Sequence, residues 1–175
     1  MTDLKSKEIR SEITSEGKLN LSIVTSDVPT PGDDDVLIKV EASPINPSDL
    51  GLLISFAADL DSISSQGSGE DTVTTMGIHP GLMQSMKPRI DKSMKVGNEG
   101  GGVIVDAGKN VKNLIGKTVG VAGGAMYSQY RCLPAMSCLV MNEGTTSVEA
   151  ASSFVNPLTA LGLSLIHISE PTRPR

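Results

Sequence analysis

Residues 96–105 read VGNEGGGVIV, and the meaning of these ten residues decides the fold. Three consecutive glycines invite a nucleotide-binding loop, but a dinucleotide loop needs G-x-G-x-x-G between a strand and a helix. Gly100 and Gly102 supply the first pair, while Val105 stands where the last glycine belongs. The run also leads into Val103, Ile104 and Val105, whose branched side chains favour a strand. The glycines therefore read as places of close backbone approach and a bulge inside a barrel. Gly116, Lys117 and Thr118 make a second decoy: a phosphate loop needs a glycine five positions before Gly116, and Val111 is there. That segment, too, enters a strand.

Working outward, short strands dominate. Residues 9–13 and 19–24 alternate apolar and polar, and Glu16 and Gly17 lie between them, which predicts a hairpin. Val36, Ile38 and Val40 share one face of a strand over 36–42. Pro44 then restricts its predecessor, and Asn46 stands ready to cap a helix with Pro47 in its first position, running to Leu53 or Ile54. From 57 to 95 the periodicity dissolves, and residues 62–71 are rich in Gly and Ser; the length predicts a functional or mobile insertion. Strands resume at 103–105, 118–122, 127–133 and 138–141, a pattern that suggests a barrel or sandwich. Thr146 and Glu149 sit at capping-box spacing and open a helix to about Phe154. Pro157, preceded by Asn156, breaks it and starts another.

The totals narrow the function. A length of 175 residues suits one domain, or one domain and part of the next. The formal net charge of −5 argues against nucleic acid, which wants a basic stripe. No apolar run is long enough to cross a bilayer, and the charged opening MTDLKSKEIR lacks the apolar stretch of a secretory signal, so the expected setting is cytoplasmic. His79, Cys132, Cys138 and Glu99 lack the local pairing of a zinc site, and no metal is expected. The two cysteines read as small apolar core residues on neighbouring strands. Asn46 and Asp49, beside two prolines, are either an ordinary helix cap or a rigid edge facing a cleft.

Six motifs in register resemble the medium-chain dehydrogenase/reductase superfamily, in its zinc-independent quinone-reductase and enoyl-reductase branch. They are residues 36–40, 45–49 (INPSD), 96–103 (VGNEGGGV), 116–119 (GKTV), 127–130 (YSQY) and 155–160 (VNPLTA), spread over most of residues 5–162. Zinc-dependent members carry a cysteine where this chain has Asn46 and a Gly-His-Glu where it has Gly97, Asn98 and Glu99, so the resemblance points to the metal-free branch. It implies a mainly β fold with some α: a GroES-like substrate domain over residues 1–145, with an insertion at about 57–95, and the start of a Rossmann cofactor domain over 146–162, truncated before its glycine-rich loop. It implies an enzyme passing a hydride from NADPH to a quinone, an activated C=C or a C=O group, with a small-molecule substrate and a homodimeric parent. Asn46, Asn156 and Thr159 would lie near the nicotinamide, and Ile45 and Asp49 would line the substrate cleft; no catalytic acid is indicated. Residues 163–173 resemble a translated sequencing adapter, so 163–175 are read as foreign to the fold and the chain itself as inactive; a genuine short C-terminus is the competing reading. A non-enzymatic GroES-like barrel that binds a partner is the alternative function.

Overall fold

The structure, a computed structural model, describes residues 4–169. Its elements in chain order are β1 (Lys5–Ile13), β2 (Lys18–Asp27), β3 (Asp35–Ala42), α1 (Pro47–Leu53), β4 (Ala58–Gln66), β5 (Val73–Ile78), α2 (Met83–Met86) and β6 (Met94–Lys95). β7 (Glu99–Ala107), β8 (Thr118–Ala122), β9 (Tyr130–Pro134), β10 (Cys138–Val140), α3 (Ser147–Ala151) and α4 (Val155–Ser169) follow. The strands form two five-stranded sheets, in the orders β4-β5-β2-β1-β6 and β10-β8-β7-β3-β9. The expected hairpin is β1 paired with β2, and its turn uses Gly17 at φ +75°, where a side chain would be strained.

Residues 127–129 join the sheets. The Gln129 carbonyl accepts from the Val40 N–H at the edge of β3, while the Gln129 N–H donates to the Lys7 carbonyl in β1. The curled sheets enclose two apolar clusters. Val36, Ile38, Ile104, Val119, Val121 and Met126 fill one. Ile13, Leu19, Met76, Ile78 and Met86 belong to the other. With few aromatic side chains available, methionine fills gaps in both cores.

The glycine run behaves as a packing device. β7 pairs with β8 so that Gly101 lies opposite Gly120. A Cβ on Gly101 would stand 2.3 Å from the Ser147 carbonyl oxygen and 2.7 Å from the Ala151 nitrogen, and one on Gly120 would stand 2.7 Å from the Ala150 oxygen. The glycine pair is thus the floor on which the backbone of α3 rests. A Cβ on Gly102 would stand 2.0 Å from the Lys39 carbonyl oxygen of β3, beside a register shift between Val40 and Ala42.

Two expectations are corrected. Residues 57–95, where the sequence periodicity dissolves, are not without regular structure. They supply β4, β5 and β6, three of the five strands of the first sheet, together with α2, and Ala57, Ala58, Met76, Ile78 and Met86 belong to its core. The polar, serine-rich strand β4 is an exposed edge, so its sequence lacks the alternation that burial imposes. Nor are the cysteines on neighbouring strands: Cys132 lies on β9 and Cys138 on β10, the two ends of the second sheet's order. The C-terminal helices differ only in their bounds. α3 ends at Ala151, and α4 starts at Val155, two residues before Pro157, and continues to Ser169. Residues 170–175 lie outside the described residues.

Candidate functional site

Asn46 stands immediately before α1, at the junction of the barrel and the C-terminal helices. Its N–H donates to Asp49 Oδ2 at 2.8 Å, and its carbonyl accepts from the Asp49 N–H at 2.9 Å. This reciprocal pair, with Pro47 fixing the first helical φ, anchors the start of α1. At its other end, the Arg89 guanidinium donates to the carbonyls of Gly51 (3.2 Å) and Leu52 (2.8 Å). The 57–95 segment therefore pins α1 from behind.

The side chain of Asn46 points away from its own helix. Its Nδ2 donates to Glu99 Oε1 at 2.8 Å, and its Oδ1 accepts from Asn156 Nδ2 at 3.4 Å. The second Glu99 oxygen accepts the N–H groups of Phe154 (3.1 Å) and Val155 (2.9 Å) at the start of α4. Asp49 completes the arrangement by accepting the Asn98 N–H at 2.8 Å, and Asn98 Nδ2 donates to Ser48 Oγ at 3.0 Å. Asn46 is 4 % exposed, Asp49 1 % and Glu99 not at all. Burying two carboxylates is costly unless donors satisfy them, and here backbone N–H groups and an amide do so.

These contacts locate each expected site residue. Asn46 and Asn156 come together directly. Ile45, by contrast, is 72 % exposed, a bare apolar side chain beside the buried network. Thr159 is exposed one turn along α4 from Asn156, on the same face, with its hydroxyl donating to the Val155 carbonyl at 2.7 Å. Asp49 faces inward, its carboxylate engaged by two backbone N–H groups.

Two residues of the site were not singled out for it from the sequence. In the sequence Glu99 stands out only as a possible metal ligand and as a member of the 96–103 motif; the signal for its structural role is a lone carboxylate in a glycine-rich, apolar strand. Tyr127 donates its hydroxyl to the Pro44 carbonyl at 2.9 Å, and its ring covers Gly97, whose φ is +93°. Burial, together with the nearby Asp49 carboxylate, pushes the Tyr127 hydroxyl up to about 12, so it stays protonated as a donor. Among the described residues no group of three or more His, Cys, Asp and Glu side chains could hold a metal ion. Nor, among them, is any helix long and apolar enough to cross a membrane.

No protein-family model matches the chain. No curated protein matches it either. Solved structures do. A protein described as a candidate NADPH:quinone reductase from Mesorhizobium loti superimposes with a TM-score of 0.63 at 24% identity, covering 97% of this chain and 46% of its own. The quinone oxidoreductase of Coxiella burnetii gives 0.56 at 18% identity, with 93% and 46% covered. A mycobacterial protein solved in complex with NADPH gives 0.56 at 20% identity, with 90% and 39% covered. The fold is thus the one that these solved quinone oxidoreductase and enoyl reductase structures share, a GroES-like barrel followed by part of a Rossmann portion. The chain spans just under half the length of the first of these structures.

Proposed function

We propose that this chain is the barrel wall and opening helices of an NADPH-dependent, zinc-independent reductase, working in the cytoplasm on a quinone or an activated C=C or C=O substrate. The observation that carries the reading is the hydrogen bond between Asn46 and Asn156, which joins the edge of the barrel to the helix bearing Thr159. In a hydride transfer the cofactor supplies the chemistry and the protein supplies orientation. The buried amide of Asn46 braces that of Asn156, while Asn156, Ile45 and Thr159 are exposed and so free to meet nicotinamide or substrate. One neighbour described as a candidate NADPH:quinone reductase, and another, a mycobacterial protein solved with NADPH bound, support the same cofactor here.

The cofactor's phosphates are another matter. No described residue belongs to a G-x-G-x-x-G loop between a strand and a helix, so nothing here would hold the pyrophosphate at a helix N-terminus. Calorimetric titration of the chain with NADPH, and separately with nicotinamide mononucleotide, tests both halves of the proposal. The expected result is similar, weak binding of the two, with Kd on the order of 1 mM. A micromolar Kd for NADPH would show a phosphate grip that this reading does not contain.

A further inference from the structure

Glu99 is a fully buried carboxylate for which no ion-pair partner is found among the described residues. Its partners are the Asn46 amide on one oxygen and the Phe154 and Val155 N–H groups on the other. α4 carries no acidic residue in its first turn, and Pro157, its third residue, has no N–H to offer. The negative charge that ordinarily complements a helix N-terminus therefore comes from a strand more than fifty residues upstream. α4 otherwise has weak support: Leu158, Leu161, Leu163 and Leu165 are all more than half exposed.

We propose that Glu99 is a positioning residue that clamps α4 to the barrel, fixing Asn156 and Thr159 against the Ile45 and Asn46 edge through one carboxylate. The clamp stands on the hydrogen bonds alone; its consequence for hydride transfer rests on the reductase reading. One oxygen holds the residue that sets the barrel edge, and the other holds the helix that carries the opposing groups. Neutralising the carboxylate while keeping its shape, as in Glu99→Gln, places an NH2 group or an uncharged oxygen against donors that need an anion. Glu99→Asp keeps the charge but shortens the reach.

Amide hydrogen exchange on the 15N-labelled chain tests the clamp. In Glu99→Gln, exchange at Phe154, Val155 and Leu158 should accelerate at least tenfold, with Ile104 and Val119 in the barrel unchanged. Glu99→Asp should recover part of the protection. A residue that merely supported the fold would raise exchange at Ile104 and Val119 in the same proportion, and that result overturns the proposal. The unsubstituted chain provides a measurement that needs no variant: a scalar coupling across the hydrogen bond between the Glu99 side-chain carboxyl carbon and the Val155 amide nitrogen. Its presence supports the clamp even if Glu99→Gln does not fold, and its absence with a protected Val155 amide contradicts it. Neither readout involves NADPH, so failure of the clamp and failure of the reductase reading are separable.

Discussion

At the scale of single residues, environment sets chemistry. Cys138 is half-buried on an edge strand, and that burial pushes its thiol up to about 11. Cys132 is raised as well, by burial first and then by the nearby Asp35 carboxylate. A thiol reacts as its thiolate, and a raised pKa keeps the neutral form at physiological pH. Alkylation of Cys138 by iodoacetamide should therefore be slow at pH 8 and quicken about tenfold per pH unit up to pH 10. A rate that levels off below pH 9 would show an ordinary, exposed thiol. Residue types alone do not reveal such shifts. Asn46 was legible as a helix-initiating residue because Pro47 follows it, yet its amide serves Glu99 rather than α1. A side chain's long-range partner is invisible to local spacing, and the same limit hid Glu99.

At the scale of elements, two glycines make opposite predictions. Gly101 underlies α3, and any Cβ there meets backbone that cannot rotate away. Gly101→Ala should lower stability by about 1–3 kcal/mol, as overpacking does in a closed core. Gly51 lies within α1 with nothing inside 4 Å of its missing Cβ. Gly51→Ala should raise stability by about 0.4–1 kcal/mol, because alanine loses less backbone freedom on folding. Urea unfolding of the two variants checks both signs; equal effects would mean that α3 does not sit on the glycine floor. Strands with a buried face, such as β3 and β7, were legible in the sequence. β4 was not, because an exposed edge strand carries no apolar alternation and its serines imitate a linker. The capping box of α3 was legible down to its partners: the Thr146 N–H donates to Glu149 Oε2 at 2.8 Å, and the Glu149 N–H donates back to Thr146 Oγ1 at 3.2 Å.

At the scale of the whole molecule, the question is what the two halves of the site do together. The barrel has two closed cores, and α4 leans on it through a few hydrogen bonds at one end. Fold class could be inferred from motif order, since each short strand and turn had a place in one known arrangement. Segment 57–95 could not, because its contribution to the first core depends on pairing with β2, far away in sequence. Under the proposed function, the Ile45 edge and the first turns of α4 are two sides of one cleft, with Asn46, Asn156 and Glu99, joined by hydrogen bonds, as its hinge point. NADPH titrated into the 15N-labelled chain, followed amide by amide, tests that most directly. The account predicts shifts that concentrate at Ile45, Asn156 and Thr159. Shifts lining instead the open polar groove of about 710 Å³ between Thr14 and Gly77, or none at those three amides at saturating cofactor, would contradict it.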